Sequence, residues 1–228
     1  MNKIYLCGGN KGGTGKSMLA TALIDAFLQR GVEPLLIETD DANPDVFKAH
    51  GERIQCAALS LDEADGWIEM INSLDKARGV PVIVNTAARN STGVARYGQT
   101  LKSTLGELGR TMVTLWVINR QRDSLELLAD YLDAMPAGAD HQVHVVRNGY
   151  FGSAEKFQLY NGSQLKQRIE EGGGLTLDFP DLADRVADQM ATQRLTIQGA
   201  LKEMPLGHRA ELIRWRDDAF KVLGRVMT

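Results

Sequence analysis

Short apolar runs alternate along the chain with stretches of helical spacing. The runs are Ile4 to Cys7, Pro34 to Ile37, Val80 to Val84, Met112 to Ile118 and Val143 to Val146. Their near-continuous apolar character predicts strands covered on both faces. The clearest helix lies between the first two runs. From Ser17 to Gln29, Leu19, Leu23 and Phe27 fall at i, i+4 and i+8, and Gly31 closes the pattern. Asp62 to Arg78, Gly93 to Leu108 and Ser124 to Met135 have the same spacing. Strands alternating with helices predict βαβ units: an α/β chain with a doubly wound, mostly parallel sheet and helices on both faces. Farther on, helices are expected from Asp181 to Gln193, after Pro180, and from Leu206 to Met227. The run Gly172-Gly173-Gly174 predicts a loop from a helix to a strand. With no internal repeat and no obvious linker, residues 1–228 are expected to form one domain, with a helical portion from about residue 181 to 228.

Composition narrows the class. The chain has 228 residues, 43% hydrophobic and 24% charged, enough to bury a core without disulfides. A net charge of −3 argues against blanket electrostatic binding to nucleic acid, while leaving a local basic patch open. The two cysteines, Cys7 and Cys56, form no C-x-x-C pair and suit a reducing compartment, so a cytoplasmic location is expected. The run Ile4 to Cys7 is too short for a signal peptide, and no 18-residue apolar run exists to span a membrane. His50, His141, His144 and His208 show no ligand spacing and read as structural or solvated.

The chemistry begins at residues 10–17, N-K-G-G-T-G-K-S, between the first strand and the first helix. In that context the pattern has a mechanism. Gly12, Gly13 and Gly15 let the backbone close around phosphate oxygens, with Thr14 in the same cradle. Successive N–H groups and the helix N-terminus favour the anion. Lys16 is expected on the β- and γ-phosphates and the Ser17 hydroxyl on Mg2+. Asn10 replaces the usual first glycine, and asparagine tolerates a left-handed backbone. No N-K-x-D guanine motif occurs, which favours ATP.

The additional lysine, Lys11, makes K-G-G-T-G-K-S resemble the deviant Walker A motif of the ParA/MinD superfamily, P-loop ATPases of the SIMIBI class. The resemblance implies a homodimer closed around two ATP molecules, with Lys11 reaching the partner's phosphates. Taken by itself, Lys11 is equally a solvated charge. Glu38-Thr39-Asp40 at the end of the second strand resembles switch I, which implies Asp40 on the attacking water and Glu38 supporting Mg2+. Carboxylates at the carboxyl edge of a parallel strand face the ligand crevice in any case. Asp41 and Asp45 read as bystanders, with Asn43 or Asp45 available to cap the next helix.

Val84-Asn85-Thr86-Ala87-Ala88, followed by Arg89 to Gly93, resembles switch II, where the family has aspartate in place of Asn85. A neutral amide holds a metal less firmly. The change implies slow hydrolysis, weak Mg2+ affinity, or compensation by Glu38. Asn148, with Asn119 as a weaker candidate, resembles the residue placed on adenine.

The last helix carries two apolar rows: Leu212, Trp215, Ala219, Val222 and Val226, and Ile213, Phe220, Leu223 and Met227. Five basic residues decorate it, so packing, partner binding and MinD-like membrane association stand as alternatives, the first two favoured. L-D-F-P-D-L and the tryptophan-bearing end helix are similar to plasmid-encoded members, the StbB-type stability and TraL-type conjugation proteins. That implies a role in plasmid partition or conjugative transfer, with a plasmid-encoded DNA-binding or adaptor protein as partner.

Overall fold

The computed structural model describes residues 2–9, 11–88 and 91–227. Seven strands, β1 (Lys3–Gly8), β2 (Leu35–Glu38), β3 (Cys56–Ala58), β4 (Val82–Asn85), β5 (Thr111–Ile118), β6 (His141–Asn148) and β7 (Thr176–Phe179), form one sheet in the order β3-β2-β4-β1-β5-β6-β7. Every neighbouring pair is parallel. The expected sheet is therefore present, and wholly parallel. The chain first steps outward through β2 and β3. It then returns β4 to the place between β2 and β1, and continues on the far side of β1 through β5 to β7. The carboxyl ends of β1, β2 and β4 thus converge where the strand order reverses, the place where such sheets bind ligands.

The helices are α1 (Lys16–Gln29), α2 (Asp45–His50), α3 (Ala64–Lys76), α4 (Ser91–Leu108), α5 (Arg122–Ala134), α6 (Gln158–Asn161), α7 (Gln164–Glu171), α8 (Asp184–Gln193), α9 (Ile197–Glu203) and α10 (Leu206–Gly224). The period-2 geometry of the strands divides the core in two. Tyr5, Cys7, Leu36, Ile83, Val113, Leu115 and Val117 point to the side covered by α1, α8, α9 and α10. Ile4, Leu6, Ile37, Val82, Val84, Met112 and Trp116 point to the side covered by α3, α4 and α5. Trp67 is buried and donates its indole N–H to Leu61 O at 2.9 Å.

The sequence pattern left out β3, α6 and α9, and gave no bounds to α2, or to α7 and the four-residue β7 on either side of the triple glycine. The triple glycine joins α7 to β7, as expected of a helix-to-strand connection. In α10, which ends at Gly224 short of the expected Met227, the apolar rows meet the core unevenly. Leu212, Trp215, Ala219 and Leu223 are buried, and so are Val226 and Met227 just beyond the helix, whereas Ile213 faces solvent. Arg216 pairs with the buried Asp25 of α1 at 2.7 Å, and Trp215 Nε1 donates to Pro180 O at 2.9 Å. The helix is thereby fixed as part of the core. Among the described residues no helix is long and apolar enough to cross a membrane.

Candidate functional site

The loop between β1 and α1 exposes Gly12, Gly13 and Ser17 while burying Thr14 and Lys16. Asn10 lies outside the described residues. Gly13 has φ +73° and Gly15 φ +102°, conformations that strain a side-chain-bearing residue. Gly15 is also the N-cap of α1 and no side chain caps that helix, so the first-turn N–H groups face the loop without a protein acceptor from a cap. The loop is internally braced: Thr14 Oγ1 donates to Lys11 O at 3.2 Å and Lys16 Nζ to the same oxygen at 3.0 Å. Burial lowers the Lys16 pKa, opposed by the nearby Asp40, Cys7 and Glu38. An ammonium held by a carbonyl of the loop, next to the N-terminus of α1, is arranged to meet an anion.

The acids stand one strand away. Register places Glu38 of β2 beside Asn85 of β4, which in turn lies beside Cys7 of β1. Asn85 Nδ2 donates to both Glu38 oxygens at 3.0 Å and lies 3.4 Å from Ser17 Oγ. The Asp40 backbone N–H adds a third bond to Glu38, at 3.1 Å. Burial raises the Glu38 pKa, and the hydrogen bond from Asn85 works against that rise. The remaining amide atom, Asn85 Oδ1, is buried without a hydrogen-bond partner. A buried acceptor of this kind calls for a donor.

Ser17 and Glu38 therefore bring together a hydroxyl and a carboxylate, hard oxygen donors of the kind that suit Mg2+ or its bound waters, and the Asn85 amide nitrogen is turned toward both. No group of three His, Cys, Asp or Glu able to hold a metal occurs among the described residues.

Asp40 is half-buried, and its Oδ1 accepts from the Asn43 N–H at 2.9 Å. This turn and an Asp45 N–H bond to Asn43 O leave Pro44 as the N-cap of α2, with no side-chain cap from Asn43 or Asp45. Two threonines with no motif of their own tie the strand ends together. Thr86 Oγ1 donates to Cys7 O at 2.8 Å, and Thr39 Oγ1 accepts from the Ala87 N–H at 3.1 Å. Arg89 and Asn90 lie outside the described residues.

Lys11 is held within its own chain by Asp123 and Gln121 at the start of α5. Asn119 Oδ1 accepts from the Gln121 N–H at 2.9 Å and so shapes that same turn. Asn148 lies on the other side of the loop. Its Nδ2 donates to Thr14 O at 2.7 Å, and it borders a cavity of about 200 Å³ lined by Met18, Tyr150, Phe179, Pro180 and Trp215. Of the sequence candidates, then, Lys16, Ser17, Glu38, Asp40 and Asn85 gather on one side of the loop and Asn148 on the other, while Lys11 is turned toward α5. The apolar pocket beside Asn148 was not legible beforehand, because its walls come from α1, β7 and α10.

Residues 6–146 match the family described as CobQ/CobB/MinD/ParA nucleotide binding domain. Protein MobD of Acidithiobacillus ferrooxidans is 56% identical over 224 residues, covering 98% of this chain and 97% of that protein. Among solved structures, the cell division ATPase MinD of Pyrococcus furiosus superposes with a TM-score of 0.53 at 15% identity, covering 97% of this chain and 99% of that one. A ParA family ATPase from Chlorobium tepidum TLS gives 0.50 at 14%, covering 95% and 98%. The signal recognition particle receptor FtsY of Elizabethkingia anophelis gives 0.55 at 15%, with 96% of this chain spanning 65% of that one. These three likenesses establish the fold.

Proposed function

The chain belongs to the CobQ/CobB/MinD/ParA nucleotide-binding family, and on that premise we propose that it is an ATP-dependent dimerisation switch acting in the transfer or maintenance of plasmid DNA. The observation that carries the reading is the meeting of the glycine loop, with Lys16 buried beneath it, and the hydrogen-bonded Ser17–Glu38–Asn85 cluster. Lys16 and the N–H groups of residues 12–17 bind the β- and γ-phosphates. Ser17, Glu38 and Asn85 hold Mg2+ or its waters. That ion, when bound, neutralises phosphate charge. Asp40 orients the attacking water, and the pocket beside Asn148 receives the base.

Lys11 completes the site of a second copy. It must first exchange its contacts with Asp123 and Gln121, a small matter for a solvent-exposed pair. ATP then favours the dimer only through contacts made better there than in the single chain. The likeness to MobD across nearly the whole length supports a plasmid-encoded partner, a DNA-binding or adaptor protein.

A metabolic enzyme on this scaffold needs a second pocket with converging polar groups. A cavity of about 600 Å³ between α4 and α5 is mostly apolar. Two of its hydroxyls, on Thr86 and Tyr131, are already committed to Cys7 O and to Thr114. The switch is therefore preferred. A non-hydrolysing assembly module is the second reading, favoured by the neutral amide of Asn85. Light scattering with ATP and Mg2+ tests the switch: wild type should double in mass, and Lys11→Ala should bind ATP yet stay single. A wild type that binds ATP without changing mass excludes the switch.

A further inference from the structure

We infer that a cavity at the amino end of the sheet, far from the phosphate loop, binds a small carboxylate with an apolar body. The cavity holds about 360 Å³ and lies where β1 and β5 begin and α1 ends. Volumes of that size take a small organic molecule. Lys3 starts β1 and Gly8 ends it, where the phosphate loop departs, and a strand of this length sets them about 17 Å apart. The two sites are therefore separate.

The walls are apolar, built from Tyr5, Phe27, Val32, Pro81 and Met227. The charged residues that line the cavity are Lys3 and Arg30, both cations, and no carboxylate joins them among the described residues. Neither forms an ion pair among the described residues, and nor does Arg225. Arg225 belongs to the same corner: burial first, and then the charges of Lys3 and Arg225, lower the pKa of His144. A cleft lined by one sign of charge over low-dielectric walls concentrates the opposite ion.

Partners for the head group are already in place. Arg30 Nη1 donates to Met227 O at 2.8 Å, and the guanidinium lies 5.4 Å from the centre of the Phe220 ring. These contacts hold the side chain and leave the rest of its fork for a planar carboxylate. The Tyr5 ring is buried, yet its hydroxyl has no hydrogen-bond partner among the described residues. Burial pushes that hydroxyl up to about 12, with Arg30 working against the rise, so it stays a donor at neutral pH. Asn2 is spent on the wall: its Oδ1 accepts from the Gly79 N–H at 2.8 Å and its Nδ2 donates to Gly109 O at 3.1 Å. Two cations and one O–H donor beside apolar walls select an anion with an apolar body over a sugar or a free phosphate.

Octanoate, 1-octanol and octylamine share one chain and differ in the head group. Their affinities for the full chain are measured by calorimetry. Octanoate should bind about tenfold tighter than octanol, through its charge-assisted hydrogen bonds, and octylamine should bind weakest. Arg30→Gln should weaken octanoate roughly tenfold and leave octanol unchanged. Arg30 also holds Met227 O, so Lys3→Gln repeats the comparison should Arg30→Gln melt early. Lys16→Ala, at the phosphate loop, should bind octanoate as the wild type does. Four results would each overturn the inference: octanol bound as tightly as octanoate, neither bound at all, octanoate affinity indifferent to both Arg30→Gln and Lys3→Gln, or that affinity lost in Lys16→Ala.

Discussion

Asn85→Asp restores the family's acidic residue, and the structure predicts that this change harms the metal-free protein. Asn85 Nδ2 now gives two hydrogen bonds at 3.0 Å to a buried carboxylate. An aspartate in the same place would face Glu38 with a second negative charge. At about 3 Å and an effective dielectric of about 20, the repulsion of two ionised groups is about 5 kcal/mol. The pair avoids most of it by sharing one proton. What remains is the loss of two charge-assisted bonds for one O–H···O bond, so about 2–4 kcal/mol of stability should disappear.

The pH dependence follows from the same pair. Burial already raises the Glu38 pKa, and the variant removes the Asn85 bond that opposes the rise. A carboxylate whose folded pKa lies above its unfolded value stabilises fully below the unfolded pKa. That contribution fades as pH rises through the folded one. The deficit of the variant should therefore grow as pH rises above the ordinary carboxylate range, compared at pH 5 and pH 8, and Mg2+ with nucleotide should shrink it by neutralising the second charge. Urea titrations at both pH values, with and without Mg-ATP, measure this. Equal stability of variant and wild type at pH 8 without metal would refute the argument that Asn85 and Glu38 form one compensated unit.

Four further outcomes are expected. Gly15→Ala places a Cβ at φ +102° and 2.3 Å from the Asn148 amide, so it should abolish ATP binding in calorimetry while α1 persists by circular dichroism. Arg216→Met leaves Asp25 buried without its partner and should cost about 3 kcal/mol in urea. Lys221→Met, which breaks an exposed pair on the same helix, should change stability by less than about 0.5 kcal/mol. Burial pushes His50, His141 and His144 down to about 4 from an ordinary 6.5. Groups so depressed stay neutral in the folded chain while the unfolded chain takes up protons. Stability should then fall as pH drops from about 6.5 toward 4, by about 2 kcal/mol per histidine at pH 5. Replacing His50 with a neutral residue should flatten that slope, as read from urea midpoints.

The parallel sheet was legible because its central strands are continuous apolar runs such as Met112 to Ile118, and because α1 carries apolar residues at i, i+4 and i+8. The short edge strands were not, since Cys56–Ala58 and Thr176–Phe179 are held by pairing with a neighbour rather than by a pattern of their own. The phosphate loop could be read directly because its chemistry is local in sequence. The Glu38–Asn85 pair could be suspected only from the departure at Asn85, for which Glu38 was one possible compensation. Their contact depends on β4 returning between β2 and β1, a crossover that no local signal encodes. For the same reason, the Thr86 and Thr39 ties and the Asn148–Thr14 bond, which spans 134 residues, emerge only in three dimensions.

The most direct test of the central claim is Mg2+-dependent ATP turnover by the purified chain beside Lys16→Ala. Lys16 is the one ammonium buried under the loop among the described residues, and the switch reading needs it on the phosphates. Slow turnover by the wild type, abolished in the variant, is the predicted result. Turnover that survives the loss of Lys16, or a wild type that fails to bind ATP at all, would contradict it.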